Sequence, residues 1–369
     1  MCTPMKIGIV GLPNVGKSTL FNALTKQYAA DAANFPFCTI EPNVGIVNVN
    51  DPRLQVLAEV SHTQKIIPAS IQFVDIAGLV KGASQGEGLG NQFLAHIREV
   101  DAIVQVVRHF QDSDVVHVEG STNPLRDVEI INTELILADL QLIEKKIPEL
   151  ERKLKGQDKE AGQMLPVLHH VQQLLLAGKL AYDCEKDLSP EEKKQLKQFN
   201  LLTFKPFIYA INVHEQELKN AAQIKSQFEA DLHKPVAIVC AKFESELLEA
   251  STEERQMFLQ ELTEDIGAVP TLDDLIALGF RTVGLMYYFT TGEKETRAWT
   301  IKQGSTAPQA SGVIHTDFER GFIKAEIVSY PEFVADGGRA GAREKGHLRL
   351  EGKEYIVREG DVIVFKCNR

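Results

Sequence analysis

The sequence predicts an α/β protein in three parts: a mostly parallel sheet covered by helices, a helical hairpin inserted into it, and a small β-rich domain. Short β-branched segments alternate with segments of helical spacing over residues 1–128 and 201–282, which is typical of parallel strands joined by helices. The alternation stops over residues 129–200. Over residues 283–369, short strand-like segments separated by Gly and Pro replace it.

The first part opens with a short buried strand, MKIGIV at 5–10, then a glycine-containing loop and the helical segment STLFNALTK at 18–26. Later apolar, β-branched segments are expected to add strands to the same sheet. They are VGIVNV (44–49), IQFVDIAG (71–78), DAIVQVVRHF (101–110), PFIYAIN (206–212) and PVAIVCA (235–241).

The inserted part shows apolar residues at spacings of four and three, the seam of a coiled coil. We expect a projecting helical hairpin, with KGQDKEAGQ (155–163) as its turn and Pro148 as a kink. The alternative is two helices lying flat on the sheet. The seam residues are Ile136, Leu140, Ile143, Ile147, Leu150 and Leu154, with Leu168, Val171 and Leu175 on the return helix.

The last part is expected to form a separate small domain of short strands. Residues 281–369 carry 14 Lys and Arg against 12 Asp and Glu, a net charge of +2. Because the whole chain has a net charge of −11, the preceding residues carry −13. A mildly basic end on an acidic body favours an anionic partner for that end. The segments are YYFTT (287–291), RAWTI (297–301), GVIHTD (312–317), FIKAEIV (322–328), KEYIV (353–357) and DVIVFK (361–366).

Composition excludes several classes of protein. The five cysteines stand singly, so neither a zinc site nor a disulfide framework is indicated, and a reducing cytoplasm fits best. The apolar run at the N-terminus is too short for a signal peptide. No stretch approaches the roughly 18 consecutive apolar residues that span a bilayer, so we expect no membrane partner.

The clearest motif is GLPNVGKST (11–19), which matches GxxxxGK[ST] between a predicted strand and a predicted helix. Gly11 and Gly16 let backbone N–H groups converge on phosphate oxygens. Lys17 supplies a charge to the β- and γ-phosphates, and Ser18 can bind Mg²⁺. The motif therefore predicts a nucleoside triphosphate site.

Two further segments extend this site. DIAG (75–78) ends a predicted strand, where Asp75 can hold the water shell of Mg²⁺ and Gly78 can donate to the γ-phosphate. The glycine-dense segment that follows is suited to a nucleotide-dependent switch. In NFPFCTIEPNVG (34–45), Thr39 is the residue placed to reach Mg²⁺.

These motifs, GLPNVGKST, NFPFCTIEPN and DIAGLVKGASQGEGLGNQF, together resemble the YchF subfamily of Obg-like ATPases. The resemblance extends over the whole chain and includes RAWTIKQGSTAPQASGVIHTDFERGFIKAE and KEYIVREGDVIVFK near the end. It implies a Ras-like nucleotide domain with a coiled-coil arm and a C-terminal TGS domain of β-grasp type. It also implies ATP hydrolysis preferred over GTP, and binding to ribosomes or their large subunit.

The resemblance implies site residues as well. Ser18 and Thr39 are expected to bind Mg²⁺, and Asn14 to seat K⁺ beside the phosphates, so that Mg²⁺ and K⁺ are the expected cofactors. The expected triphosphate-binding residues are Asn14, Val15, Gly16, Lys17, Ser18 and Thr19.

Ras-like enzymes place a Gln after DxxG to orient the attacking water, whereas this chain has Leu79. An apolar side chain cannot position water by hydrogen bonding. The resemblance implies that His117, in DVVHVEG (114–120), acts instead, since His exchanges protons near pH 7. His109, closer to the end of its strand, is the rival.

The segment that recognises the nucleotide base is expected at NVHE (212–215), where a GTPase has Asn-Lys-x-Asp. Glu215 places its carboxylate one methylene further from the backbone than Asp would, and Val213 lacks the aliphatic stem of Lys that packs on the base. Both changes weaken the contacts that favour guanine. Asn212 is expected to offer its amide to the base, and Cys240, Ala241 and Lys242 to enclose it. We therefore expect ATP to bind more tightly than GTP.

Two functions follow: an ATP-hydrolysing switch on the translation machinery, or a nucleotide-gated RNA- or ribosome-binding module with incidental hydrolysis. A GTP-using switch is a further alternative. We expect a monomer that contacts RNA in a cleft between the arm and the TGS domain. The cations expected to line that cleft are Arg339, Arg343, Lys345 and Arg349.

Overall fold

A computed structural model describes residues 5–28, 43–77, 89–110, 123–267 and 269–368. Within those ranges the chain forms two mixed sheets, and its strands are numbered along the sequence. They are β1 (Lys6–Val10), β2 (Val44–Val49), β3 (Ile66–Ile67), β4 (Ala69–Asp75), β5 (Ala102–Arg108), β6 (Phe207–Asn212), β7 (Val236–Val239), β8 (Leu285–Thr291), β9 (Thr296–Lys302), β10 (Phe322–Ser329), β11 (Arg349–Glu351) and β12 (Asp361–Cys367).

Helices cover both sheets and form the inserted part. They are α1 (Lys17–Gln27), α2 (Pro52–Ser61), α3 (Leu89–Arg98), α4 (Pro124–Lys155), α5 (Lys159–Leu176), α6 (Pro190–Lys197), α7 (Ala221–Leu232), α8 (Ala241–Leu247), α9 (Thr252–Ile266), α10 (Leu272–Thr282), α11 (Ala307–Ile314), α12 (Thr316–Arg320), α13 (Tyr330–Ala335) and α14 (Arg339–Glu344). Two 3-10 helices cover Ala181–Asp187 and Glu215–Asn220. Among the helices described, none is long and apolar enough to cross a membrane.

The first sheet has the strand order β2-β4-β1-β5-β6-β7 and is parallel except for β2, which runs antiparallel to β4. Every residue of β5 and β6 is buried, because helices cover both faces of the sheet. The mostly parallel sheet predicted from the sequence is therefore confirmed. The ends of β1, β4, β6 and β7 lie at one edge, and the phosphate loop, Asp75, Asn212 and Cys240 all follow at that edge.

The inserted part is a helical hairpin of α4 and α5, which pack along each other. The predicted turn over 155–163 was too long, because Asp158 caps α5 by accepting hydrogen bonds from Glu160 N and Ala161 N. Residues 159–163 are therefore helical. Pro148 lies inside α4. Most of the seam is buried as predicted, while Leu154 next to the turn is 43% exposed.

A buried carboxylate holds the two ends of the inserted part together. Asp139 of α4 is fully buried. Its carboxylate accepts hydrogen bonds from Leu202 N at 3.0 Å, Thr203 N at 2.8 Å and Thr203 Oγ1 at 2.6 Å. These contacts fix the chain where it returns from the insertion towards β6, and they satisfy backbone groups that would otherwise be buried without partners.

The second sheet has the strand order β11-β10-β12-β8-β9-β3. Two segments predicted as strands are different in the structure. GVIHTD (312–317) belongs to α11 and α12, where Thr306 and His315 precede the helices, and KEYIV (353–357) contributes a single bridge from Ile356 to Thr306. Val313, Ile314, Tyr355 and Val357 of these segments pack in the hydrophobic cluster of the second sheet, whereas Ile356 is exposed.

Strand β3 belongs to the first part of the sequence but pairs with β9 of the last part, with Ile66 opposite Thr296. Nearby, Arg53 of α2 forms ion pairs with Asp51 at 2.7 Å and with Glu359 at 2.9 Å. Burial disfavours the charge of Asp51, yet hydrogen bonds from Arg53 and Tyr287 lower the pKa of its carboxyl. The Arg53 guanidinium also lies 5.1 to 5.9 Å from the ring centres of Tyr287, Phe289 and Tyr330. The first and last parts of the sequence are thus joined by the pairing of β3 with β9 and by the contacts of one half-buried arginine.

Candidate nucleotide-binding site

The phosphate loop lies between β1 and α1, and its glycines are required by space. A Cβ on Gly11 would lie 2.7 Å from the Val106 carbonyl oxygen, and one on Gly16 would collide with the Asn212 amide. Gly16 also has a φ of 96°, which favours glycine. The side chain of Val15 is buried, so this residue can meet a phosphate only through its backbone.

Lys17 begins α1, and its ammonium donates to the Leu12 carbonyl oxygen at 2.8 Å. Burial lowers the pKa of Lys17, and the charge of Asp75 partly offsets this effect. The lysine is therefore held over the loop by the loop's own backbone. Ser18 and Thr19 follow in the first turn of α1, and both are exposed.

Ser18 and Asp75 meet although 57 residues separate them. The Ser18 hydroxyl donates to Asp75 Oδ2 at 3.2 Å. Burial raises the pKa of Asp75, while the Ser18 hydrogen bond and the Lys17 charge oppose that rise. Asp75 Oδ1 is buried and has no hydrogen-bond partner among the described residues. A hydroxyl beside a carboxylate with a spare oxygen is a donor set that fits Mg²⁺ and its bound water. The other predicted residues here, Thr39 and Gly78, lie outside the described residues.

Asn212, at the end of β6, forms hydrogen bonds with both the phosphate loop and the start of α8. Its Nδ2 donates to the Val15 carbonyl oxygen at 3.0 Å, and its Oδ1 accepts from Ala241 N at 3.0 Å. The sequence predicted an amide turned to the base. In the structure the amide braces the phosphate loop against the start of α8. One N–H and one oxygen lone pair remain for other contacts.

The rest of the NVHE segment divides between core and surface. Val213 is 2% exposed and packs in a hydrophobic cluster with α7, while its N–H donates to the Val239 carbonyl oxygen at 2.9 Å. Its side chain is thus part of the core and is not a substitute for the base-covering Lys stem. Glu215 is exposed at the start of a 3-10 helix.

The loop that starts α8 lies beside this segment. Burial raises the pKa of the Cys240 thiol to about 11, and the nearby charge of Glu215 adds to that rise. Cys240 is therefore a buried, protonated residue at ordinary pH, and Ala241 is buried too. Lys242 is exposed, so its stem is available to cover a base.

Of the two histidines considered for catalysis, only His109 is described. Its Nδ1 lies 3.0 Å from Glu217 Oε1, and its ring packs edge-on against Phe228 at 5.7 Å. Its backbone N–H donates to the Asn212 carbonyl oxygen. His109 thus belongs to the side of the site formed by β6 and the following 3-10 helix. His117 and Leu79 lie outside the described residues.

Glu244 was missed by the sequence reasoning. It lies on the buried face of α8 with Ala241 and Leu247, although it carries a carboxyl group. A Glu at the apolar spacing of a short helix was the signal that could have identified it.

Protein-family models match both ends of the chain. A model described as a 50S ribosome-binding GTPase matches residues 6–134. A model for the C-terminal part of YchF GTPases, described as a protein of unknown function, matches residues 285–368. The two matches agree with a phosphate-loop domain followed by a separate β-rich domain.

Relatives extend the match to the whole chain. The ribosome-binding ATPase YchF of Bacillus subtilis is 51% identical over 368 residues, which cover 98% of each protein. The Obg-like ATPase 1 of Gallus gallus is 44% identical, covering 99% of this chain and 93% of its own. The solved structure of the Schizosaccharomyces pombe YchF GTPase is 37% identical with a TM-score of 0.85, covering 99% of this chain and 98% of that one. These findings confirm the three-part fold predicted from the sequence, and the chain belongs to the YchF family.

Proposed function

We propose that this chain hydrolyses ATP in preference to GTP and acts as a nucleotide-dependent switch on the ribosome. One observation carries the proposal: the Ser18 hydroxyl donates to Asp75 at 3.2 Å beside Lys17, so groups suited to Mg²⁺ and a triphosphate come together from two distant segments. Relatives named ribosome-binding ATPase and Obg-like ATPase support an NTP hydrolase. The ribosome-binding names also support a ribosomal partner, and with it a cytoplasmic location. We further propose that the chain acts as a monomer.

The names of relatives include both ATPase and GTPase, so they do not decide which base is bound. The proposed preference for ATP therefore rests on the segment NVHE at 212–215. A carboxylate can accept hydrogen bonds from both N1–H and N2–H₂ of guanine, whereas adenine has one donor group, its N6 amine. Glu215 reaches one methylene further than the usual Asp, and Val213 is committed to the core. Both differences weaken guanine-specific contacts and support ATP.

Mg²⁺ would be held by Ser18 and Thr39, with Asp75 acting through water. Bound there, it would neutralise charge on the β- and γ-phosphates. Asn14 is the residue proposed for K⁺; it has a φ of 61° in the loop, which turns the backbone sharply before Val15. Lys17 and the backbone N–H groups of the loop bind and orient the phosphates.

Leu79 cannot orient the attacking water, so we assign that role to His117. The position of His109 supports this choice, since its ring is paired with Glu217 and packed on Phe228. A His near the γ-phosphate can accept a proton from water and return it near pH 7.

The ribosomal contact includes RNA, but the four cations named from the sequence do not form one surface. In β11, Arg349 lies opposite Ile327 while Leu350 lies opposite Glu326, so Arg349 and Glu326 are on different faces of the sheet. Arg339 and Arg343 pair with Glu326, and Lys345 pairs with Asp336 at 2.9 Å. We therefore assign RNA contact to the face with Arg339 and Arg343, where two arginines share one carboxylate.

A single experiment separates the alternatives. ATP turnover is measured for the wild type and for His117→Ala and His109→Ala, each with and without ribosomes. We expect ribosomes to stimulate the wild type, and His117→Ala alone to lose about 10²-fold or more in kcat at unchanged ATP affinity. Equal ribosome binding in every nucleotide state, with no stimulation, would favour the RNA- or ribosome-binding module. Full turnover in His117→Ala would remove this residue from the mechanism.

A further inference from the structure

A cavity of about 290 Å³ lies on one face of the second sheet, where the β-rich end of the chain meets α2. Its floor is formed by β10 and β12, in which Val328 lies opposite Val362 and Glu326 lies opposite Val364. Residues of α2, α13 and α14 form its walls. The wall residues used below are Val60, Phe333, Arg339 and Ala340. A concave site of this size with mostly apolar walls and a few polar groups is typical of ligand pockets.

The polar groups of this cavity are incompletely satisfied. Glu326 is 9% exposed, and its Oε2 is paired with Arg339 and lies 3.8 Å from the Arg343 guanidinium. Its Oε1 lies 3.9 Å from Lys366 Nζ, which is beyond hydrogen-bond distance, and accepts no hydrogen bond from the described residues. Arg339 Nε is also buried without a hydrogen-bond partner in the described part of the chain. Buried polar atoms without partners are rare, so a ligand that supplies both a donor and an acceptor fits this place.

A carboxylate beside a guanidinium in an apolar cavity matches the edge of one nucleobase best. Guanine has two donors on one edge, N1–H and N2–H₂, which a carboxylate can accept together. The adjacent O6 is an acceptor for an arginine. Adenine, cytosine and uracil each have only one donor group on the corresponding edge. Glu326 and Arg339 therefore favour guanine, while Val60 and Phe333 offer apolar contacts to the faces of a ring.

Cations around the cavity indicate that the base is carried by a polyanion. The Arg343 side chain is 64% exposed, and Lys324, which is exposed, lies opposite Lys366 on the same face of the sheet as Glu326. These side chains can contact phosphates, which position a nucleic acid, while the base specifies it. The net charge of +2 over residues 281–369, against −13 for the rest of the chain, directs a polyanion to this end. On the basis of the RNA contact assigned above, we propose that the cavity binds an unstacked guanine base of single-stranded RNA.

The test is fluorescence anisotropy of the full-length protein with short labelled oligouridines that carry one central guanosine, inosine or adenosine. A non-hydrolysable ATP analogue fills the nucleotide site throughout. The wild type should bind the guanosine RNA at least about fivefold more tightly than the adenosine RNA, and inosine, which lacks the N2 amine, should fall between them. Equal binding of guanosine and adenosine RNA by the wild type would overturn the proposal.

Glu326→Gln should bind the guanosine and adenosine RNAs with similar affinity, because its amide has one acceptor oxygen for the two N–H groups of guanine. Glu354→Gln is the matched control, since it removes the same charge from an exposed position of the same domain and should keep the preference. A guanosine preference that survives in Glu326→Gln would contradict the role of this carboxylate.

A second variant keeps the test decisive if Glu326→Gln does not fold. Ala340 is exposed and lines the cavity, so the ring of Ala340→Phe should take the place of the base. The preference for guanosine should then disappear, while the phosphate contacts, and with them the salt dependence of binding, remain. An unchanged preference in Ala340→Phe would show that the base is bound elsewhere.

Free guanosine monophosphate distinguishes the two sources of guanine. It should compete poorly with the guanosine RNA, because it lacks the neighbouring phosphates that the rim cations contact. Affinity equal to that of the RNA would show that the cavity serves a free nucleotide, which contradicts binding to RNA. RNA binding without a guanosine preference refutes only the guanine site, whereas failure to bind any of the RNAs at low salt also refutes the RNA contact of the proposed function.

Discussion

At the scale of single residues, the site depends on polar groups that serve two segments at once. Asn212 joins the phosphate loop to the first residue of α8, and Asp75 joins strand β4 to the Ser18 hydroxyl. Each spans many residues of sequence. When a side chain that bridges two segments is removed, the buried polar groups that it contacted lose their partners. Leaving these groups unpaired costs more free energy than the lost hydrogen bond contributed.

The Asn212 brace gives a direct prediction. Asn212→Ala leaves the Val15 carbonyl and the Ala241 N–H unpaired, which we expect to lower the free energy of unfolding by about 1–3 kcal/mol. ATP affinity should fall as well, because both loops lose their common support. Urea unfolding and calorimetric titration measure the two effects. Asn220→Ala is the matched control, since Asn220 is exposed and its side chain makes no capping hydrogen bond. Wild-type affinity in Asn212→Ala would refute the brace.

At the scale of elements, the helical hairpin is held at its base by Asp139 rather than by the seam alone. The hairpin continues into a 3-10 helix and α6 before the chain returns to β6. The three hydrogen bonds of Asp139 fall on the two residues that make this return possible. The carboxylate of Asp139 therefore helps to fix the hairpin's position relative to the sheet.

We expect Asp139→Ala to destabilise the protein by about 2–4 kcal/mol, because two buried N–H groups and one hydroxyl lose their acceptor. Glu144→Gln, an exposed change on the same helix, should stay within about 0.5 kcal/mol of the wild type. Urea unfolding followed by circular dichroism provides the comparison. Equal stability of Asp139→Ala and Glu144→Gln would show that the seam, not the carboxylate, holds the hairpin.

The strands of the first sheet were predictable from the sequence, whereas the elements and contacts that depend on tertiary packing were not. The strands of the first sheet were identified because both faces are covered and each reads as an apolar run. The prediction of a strand at GVIHTD is wrong because its apolar residues fit either a helix or a strand, and tertiary packing decides between them. Asp139 could not be predicted, since its partners lie 63 and 64 residues away. The roles of Val213 and Asn212 likewise depend on which neighbours surround them.

At the scale of the whole molecule, the β-rich end is joined to the nucleotide domain through the segment between β2 and β4. Strand β3 extends the second sheet, and Arg53 is bonded to Asp51 and Glu359. Asn50, next to Asp51, donates to Asp273 at 3.0 Å, and Tyr28 at the end of α1 bonds the same carboxylate. Hydrogen bonds, continued through the peptide link between Asn50 and Asp51, therefore connect the end of the phosphate-loop helix with the C-terminal domain.

Arg53→Ala should loosen this connection, because it removes two ion pairs and the stacking on three aromatic rings. We expect a loss of about 1–3 kcal/mol and a thermal transition that separates into two, with the C-terminal domain unfolding apart from the rest. Differential scanning calorimetry detects the separation. Arg358→Ala removes an exposed arginine of the same region and should leave one transition. A single unchanged transition in Arg53→Ala would contradict the coupling.

We propose that this site binds adenine because the segment at 212–215 lacks contacts that favour guanine. Titration calorimetry of the full-length protein with ATP and with GTP, each with Mg²⁺, tests it most directly, and Glu215→Asp serves as the matched variant that restores the shorter carboxylate. We expect ATP to bind the wild type several-fold more tightly than GTP, and Glu215→Asp to narrow the difference by improving GTP binding. Tighter binding of GTP by the wild type would contradict it.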